Sequence, residues 1–269
     1  MERRVKNSTP KKRRYEIGQC SDVGLVRSSN EDSLLSLNLE HDNPSDMGIS
    51  LYAIADGLGG YEGGETASKL ALNVLADNLS KFIISTTSQK DSNNQESILK
   101  ALSAGVRAAN DEVVSQSRSY GNNMATTLVA ALVIDNCAYI ANVGDSRAYC
   151  LDGQKIRQIT ADHSLVANLV SAGEISPEEV YTHPQRNVIT RWLGSYLNIE
   201  VDVFNEILKP NNSLILCSDG LWEMVRNNQI QKIVREQSTA QGACEQLVEM
   251  AKKNGGIDNI SIIVVKATG

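Results

Sequence analysis

Aromatic residues are scarce, at 4% of 269 positions, so the core must be largely aliphatic. Cysteine is also sparse and odd in number: Cys20, Cys137, Cys150, Cys217 and Cys244, with no CxxC pair. That argues against a disulfide framework and against zinc. Free core thiols in a reducing cytoplasm are expected. No apolar run approaches the roughly 20 residues that span a bilayer, so no membrane segment is predicted. The basic N-terminus lacks an apolar stretch behind it and does not read as a signal peptide. Residues 57–64 are glycine-rich, yet no Lys-Ser/Thr follows at Walker spacing, and Glu62 stands where GxGxxG needs its third glycine. EF-hand spacing is missing too. A helix entry with close backbone approach is the better account of that run.

The remaining composition, 41% hydrophobic and 22% charged, is that of a soluble globular chain. No internal linker is visible, so one domain is predicted over residues 15–269. Residues 1–14 hold seven Lys/Arg against one acid, a net +6. The whole chain is −6, so the rest carries −12. An acidic body argues against nucleic acid as the main ligand. The tail is expected to be disordered and solvated.

Two apolar runs end in the same dipeptide. Ser50-Leu51-Tyr52-Ala53-Ile54-Ala55 leads into Asp56-Gly57, and Ser213-Leu214-Ile215-Leu216-Cys217-Ser218 into Asp219-Gly220. Each has a buried strand's length, then a carboxylate, then the residue that best tolerates a sharp turn. Asp258-Asn259, before the apolar strand from Ile260, is a third candidate. Carboxylates on strand ends of one sheet can converge, and converging carboxylates need a cation. A hard-metal site is the first expectation.

Periodicity predicts strands over 15–20, 33–39 and 49–55, then a helix over 62–84. An exposed loop over 85–97 and a second helix from Ile98 follow. Strands over 126–134, 138–143, 148–151 and 155–159 are separated by turn signals and read as one antiparallel meander. Residues 162–195 read as a polar, helical excursion from the sheet. Strands over 199–207 and 213–218, helices near 227–236 and 239–253, and a strand over 260–266 complete the chain. Blocks of strands and helices, rather than βαβ alternation, predict an α+β fold. Two antiparallel β-sheets would pack as a central sandwich flanked by helix pairs, with the Asp-bearing ends along one rim.

Three other segments carry polar chemistry. Arg27-Ser28-Ser29-Asn30-Glu31-Asp32 sets a guanidinium beside acids, and such a fork can hold a phosphate by two hydrogen bonds. Val143-Gly144-Asp145-Ser146-Arg147 reads as a hairpin turn with an internal Asp–Arg pair. His163 is either a general acid or a capping residue. His41 and His183 lie in polar loops without a sequence partner.

These segments together resemble the metal-dependent protein phosphatases of the protein phosphatase 2C family, in their compact bacterial form. The resemblance is carried, in family order, by Arg27-x-x-Asn30-Glu31-Asp32, Asp56-Gly57-x-Gly59-Gly60, Ala125-Thr126-Thr127, Val143-Gly144-Asp145-Ser146-Arg147, Arg186-Asn187-Val188-Ile189-Thr190-Arg191, Ser218-Asp219-Gly220-Leu221-Trp222 and Asp258-Asn259. It covers about residues 15–266. It implies a cytoplasmic serine/threonine protein phosphatase, expected as a monomer, that reverses a bacterial-type kinase by means of a metal-activated water. It implies two Mn²⁺ or Mg²⁺ ions: Asp56 bridging, the Gly57 carbonyl on one, Asp219 and Asp258 on the other. Glu31 and Asp32 would stand in the outer shell, Arg27 would hold the phosphate, and residues 165–190 would form a flap. Phosphate monoester hydrolysis can need up to about 10²¹-fold acceleration. One general base supplies about 10²–10⁴. Metal ions are the expected remainder.

The chain departs from the family pattern in places. Leu58 and Tyr61 stand where many members carry a histidine suited to protonating the leaving oxygen, so the general acid is unassigned. Asn123 stands where bacterial relatives often have an Asp for a third ion, so a third ion should bind weakly. The competing readings are a regulatory pseudophosphatase that binds phosphoproteins without turnover and a hydrolase of small phosphate compounds.

Overall fold

The structure is a computed structural model and describes residues 15–39, 48–58, 63–87, 94–195 and 198–268. In chain order its strands are β1 (Tyr15–Asp22), β2 (Ser33–Leu39), β3 (Ile49–Ala55), β4 (Leu128–Ile134), β5 (Cys137–Val143), β6 (Arg147–Asp152), β7 (Lys155–Gln158), β8 (Asp202–Ile207), β9 (Ser213–Cys217) and β10 (Ile260–Ala267). The helices are α1 (Gly64–Thr87), α2 (Gln95–Tyr120), α3 (Leu165–Ser171), α4 (Asp219–Trp222), α5 (Asn227–Glu236) and α6 (Ala240–Lys253).

The strands form two five-stranded antiparallel sheets. Sheet one runs β1-β10-β9-β6-β7 and sheet two β2-β3-β4-β5-β8. Alternate residues on each strand serve different layers. Tyr52 and Ile54 of β3, with Val129 and Ala131 of β4, face Leu214, Leu216, Ile263 and Val265 between the sheets. Leu51 and Ala53 point the other way, onto Leu75, Leu79, Leu102 and Val106 of α1 and α2. Ile215, Ile262 and Val264 of sheet one likewise pack under α5 and α6. Burial on both faces explains why these strands read as continuous apolar runs instead of alternating ones. The sandwich flanked by helix pairs is the architecture expected from the sequence.

Strand registers bring one set of ends together. Ser33 pairs with Ala55, Ile54 with Val129 and Leu128 with Val143 in sheet two. Asp22 pairs with Ile260, and Cys217 with both Ile262 and Arg147, in sheet one. The residues just beyond these ends, Asp32, Asp56, Asp145, Asp219 and Asp258, therefore share one rim.

Four expectations need correction. The strands over 126–159 are not one meander: β4 and β5 lie in sheet two, β6 and β7 in sheet one. Residues 144–146 are a crossing between sheets, and a Gly-Asp turn signal cannot tell that from a hairpin. Arg147 pairs not with Asp145 but with Asp162, at 2.6 Å with both side chains buried. Its guanidinium also lies 3.5 Å over the Trp222 ring. Residues 162–195 are mostly irregular, with only α3 and a 3-10 turn, Glu179–Tyr181. The expected loop over 85–97 is shorter, because α1 continues to Thr87 and α2 starts at Gln95. The tail over 1–14, His41, and residues 59–62 with Tyr61 lie outside the described residues.

Candidate active site

Asp56 leaves β3 with its backbone held from sheet two. The Asp56 N–H donates to Thr127 Oγ1, and its carbonyl accepts from the Thr127 N–H at 2.8 Å and Thr126 Oγ1 at 2.8 Å. The two threonines consume the polar backbone, and the carboxylate alone faces the rim. The Gly57 N–H donates to the Glu31 carbonyl. A Cβ on Gly57 would come within 2.5 Å of the Gly64 backbone and 2.7 Å of the Glu31 carbonyl. Gly64, in turn, lets the Glu31 carboxylate approach the start of α1, where negative charge is favoured.

Asp219 begins α4 directly. A Cβ on Gly220 would lie 2.0 Å from the Asn259 carbonyl oxygen. Neither Gly57 nor Gly220 has a positive φ. The glycines after both aspartates serve close backbone approach, not the sharp turn read from the sequence. Ser218 Oγ accepts the Ser261 N–H and donates to Asp32 Oδ2 at 2.8 Å, tying both sheets together behind the acids. Asn259 Oδ1 accepts the Glu31 N–H, and its Nδ2 donates to the Val23 and Ser29 carbonyls. That one side chain staples the loop bearing Arg27 to the start of β10. Arg27 Nη2 donates to Asp258 Oδ2 at 2.7 Å.

The acids are coupled electrostatically. Burial and then Asp32, Asp219, Asp145 and Asp258 push the Asp56 carboxyl well above its usual range. Burial, Asp145 and Asp258 do the same to Asp219. Asp32 rises to about 6, chiefly from burial, and Asp145 to about 7, from burial and then Asp162. The Glu31 carboxyl also rises by burial, opposed by Arg27. Asp32 Oδ1, Asp145 Oδ1 and Asp219 Oδ1 are buried without a hydrogen-bond partner. Each such orphan costs about 1–3 kcal/mol or more. Among the described residues, no three His, Cys, Asp or Glu side chains are already drawn into one coordination shell. The donor set is nonetheless all hard oxygen, anionic and short of partners, which fits divalent cations such as Mn²⁺ or Mg²⁺.

The sequence reading missed Asp145 as a member of this cluster. The signal was present: an apolar strand ending in Gly-Asp instead of Asp-Gly. His163 is drawn elsewhere. Its Nδ1 accepts the Gly144 N–H at 3.0 Å, and its Nε2 faces Asp202 at 3.2 Å and Arg191 at 3.0 Å. Ser164, not His163, caps α3, so the capping reading fails. Asn123 is exposed on the turn after α2.

Comparison with known proteins agrees with this geometry. Residues 28–254 match the family model described as protein phosphatase 2C. The serine/threonine phosphatase stp of Listeria monocytogenes is 35% identical over 91% of this chain and 93% of its own. The serine/threonine phosphatase PstP/Ppp of Mycobacterium tuberculosis superposes with a TM-score of 0.80 at 32% identity, covering 95% of this chain and 99% of its own. The catalytic domain of PstP solved with two manganese ions gives 0.78 at 30%, covering 95% and 99%. The chain belongs to the protein phosphatase 2C family. It is a phosphoprotein phosphatase, a hydrolase of phosphoric monoesters, of the compact bacterial type.

Proposed function

We propose that this phosphatase hydrolyses phosphoserine and phosphothreonine in proteins at a site for two divalent cations, Mn²⁺ or Mg²⁺. The observation that carries the reading is the convergence of five buried or half-buried acids, three with orphaned oxygens, on one rim. Asp56 would bridge both ions, the Gly57 carbonyl would serve one, and Asp219 and Asp258 the other. The catalytic domain of PstP solved with two manganese ions supports a two-ion site by similarity. When bound, the cations supply Lewis acidity, making a water more acidic and offsetting phosphoryl charge.

The chain's own residues do the rest. Arg27, at the edge of the rim, binds the phosphate through its planar fork and turns from Asp258 to the substrate. Glu31 and Asp32 stand behind as acceptors for water. Ser218 and Asn259 hold Asp32 and Glu31 in place. Thr126 and Thr127 fix the direction of Asp56. Leu58 offers no proton, and both His163 nitrogens have protein partners. Water is the donor this reading assigns to the leaving oxygen. A third ion would bind weakly, as Asn123 supplies no carboxylate.

The reading further takes residues 15–269 as one domain with a flap over about 165–190. The protein would be cytoplasmic and monomeric, acting on the products of a serine/threonine kinase. No helix among the described residues is long and apolar enough to cross a membrane. The test is hydrolysis of a phosphothreonine peptide by metal-stripped protein with and without Mn²⁺. Turnover that appears with Mn²⁺ and vanishes with chelator is expected. Folded, Mn²⁺-loaded protein without turnover would overturn the reading.

A further inference from the structure

A cavity of about 440 Å³ lies against the acid rim and takes no part in the chemistry above. Tyr181 and Arg186 line it from the excursion between β7 and β8; Glu223 and Arg226 come from the link between α4 and α5, and Gln229 from α5; Asn254 closes it after α6. It adjoins the site directly. The Glu223 N–H donates to the Asp219 carbonyl, one helical turn away. Buried Glu223 is also among the charges that act on Asp219.

The lining carries two cations and one acid. The Arg226 guanidinium lies 3.4 Å over the Tyr181 ring, which fixes its plane. Its Nη1 donates to the Glu223 carbonyl at 2.8 Å. Among the described residues no carboxylate lies within ion-pair distance of Arg226, although residues 15–269 carry −12 overall. Arg186 makes only a long pair, 3.6 Å from Glu223. A guanidinium held flat on a ring keeps its in-plane N–H groups ready for a bidentate anion. In an acidic body, two arginines with one buried acid make a local site of the opposite sign.

Spacing sets which anion. Glu223 stands one turn, about 5–6 Å, from Asp219, and Arg226 follows three residues later, after the chain has left the helix. Two or three residues of extended peptide, at about 3.3–3.6 Å each, reach past that turn. We propose that this cavity is a second anion-binding subsite. It takes a carboxylate or phosphate side chain two or three residues from the phosphorylated residue being hydrolysed. The inference rests on the phosphatase reading above and names its substrate class: acidic or multiply phosphorylated segments.

The test uses the full-length, Mn²⁺-loaded protein and labelled peptides with one phosphothreonine. Glutamine, glutamate or phosphoserine occupies the positions two and three residues away on both sides. Binding and phosphothreonine hydrolysis are measured separately. The glutamate and phosphoserine peptides should bind about threefold or more tighter than the glutamine peptide. The two acidic arms tell a carboxylate from a second phosphate. Arg226→Gln should bring the ratio to about one, and Arg226→Lys should retain most of it for glutamate. Arg226→Glu should favour a lysine peptide instead, a reversal that a merely structural Arg226 would not produce. Equal binding of all peptides by the wild type, or an unchanged ratio in Arg226→Gln, would overturn the subsite. Equal hydrolysis of all peptides leaves the phosphatase standing and the subsite refuted. Preferential binding without hydrolysis does the reverse.

Discussion

The two Asp-Gly pairs are the same dipeptide used in different ways. Asp56-Gly57 leaves sheet two into a loop, its backbone held by Thr126 and Thr127. Asp219-Gly220 leaves sheet one and starts α4 within the same residues. In the first pair the glycine admits the start of α1 and the Glu31 carbonyl; in the second it admits the Asn259 carbonyl. A strand end followed by glycine therefore sets where a charge stands. What the glycine makes room for is a separate, nonlocal matter. The shared outcome is two buried aspartates on one rim from opposite sheets, both with raised pKa: Asp56 by burial and then Asp32 and Asp219, Asp219 by burial and then Asp145 and Asp258.

Charge removal is the strongest way to break this equivalence. Asp56→Asn and Asp219→Asn should each lower Mn²⁺-dependent kcat by at least about 10²–10³, the scale for losing a preorganised electrostatic group. The metal-stripped variants should melt no lower than the wild type at neutral pH, because each loses a buried, repelled charge. Near wild-type turnover in one variant only would show that the halves are not equivalent. Arg27 belongs to the sheet-one half through Asp258. Arg27→Ala should raise KM, with kcat/KM down about 10- to 150-fold for a charge-assisted bond of about 1.5–3 kcal/mol. An unchanged KM would remove Arg27 from phosphate binding.

The pH dependence of the metal-stripped protein tests whether burial holds acids of the rim protonated. Asp32 and Asp145 titrate near 6 and 7 when folded, against 3.8 otherwise. Raised folded pKa values mean that the folded state holds these protons more tightly. The associated stability is fully present below the unfolded pKa and is lost as pH rises through about 6–7, on the order of 3 kcal/mol per group. The melting temperature should fall over that range, and Mn²⁺ should flatten the fall. A flat profile without metal would show that burial does not hold these carboxyls protonated.

The glycines give smaller, graded effects. Gly220→Ala, with its nearest contact at 2.0 Å, should destabilise more than Gly57→Ala at 2.5 Å, both on the overpacking scale of about 1–3 kcal/mol. Chemical denaturation would check the order, and the reverse order would mean that the Gly57 loop is the stiffer one. The smallest effect is expected at the exposed Asn123. Asn123→Asp should tighten a third ion modestly in calorimetry, with little change in melting temperature.

Much of this was legible locally. The bounds of β3 follow from a run that is apolar at nearly every position, because both faces of this inner strand are covered. Helices α5 and α6 follow from their periodic apolar faces. The crossing at 144–146 was not legible, because its turn residues also suit a hairpin. The partner of Arg147 was not legible either, since Asp162 reaches it only after β7 turns back. Asp145 looked like a surface turn acid for the same reason. Its burial comes from Trp222, whose Nε1 donates to the Asp145 carbonyl across 77 residues of sequence.

Alternation, glycine and strand-terminal aspartate are properties of neighbours along the chain, and they determined by themselves which residues carry charge at strand ends. Tertiary structure alone decided that five such acids from two sheets share one rim, and that two arginines gather beside it. Register and sheet pairing join residues up to about two hundred positions apart, and local propensity carries no information about such contacts.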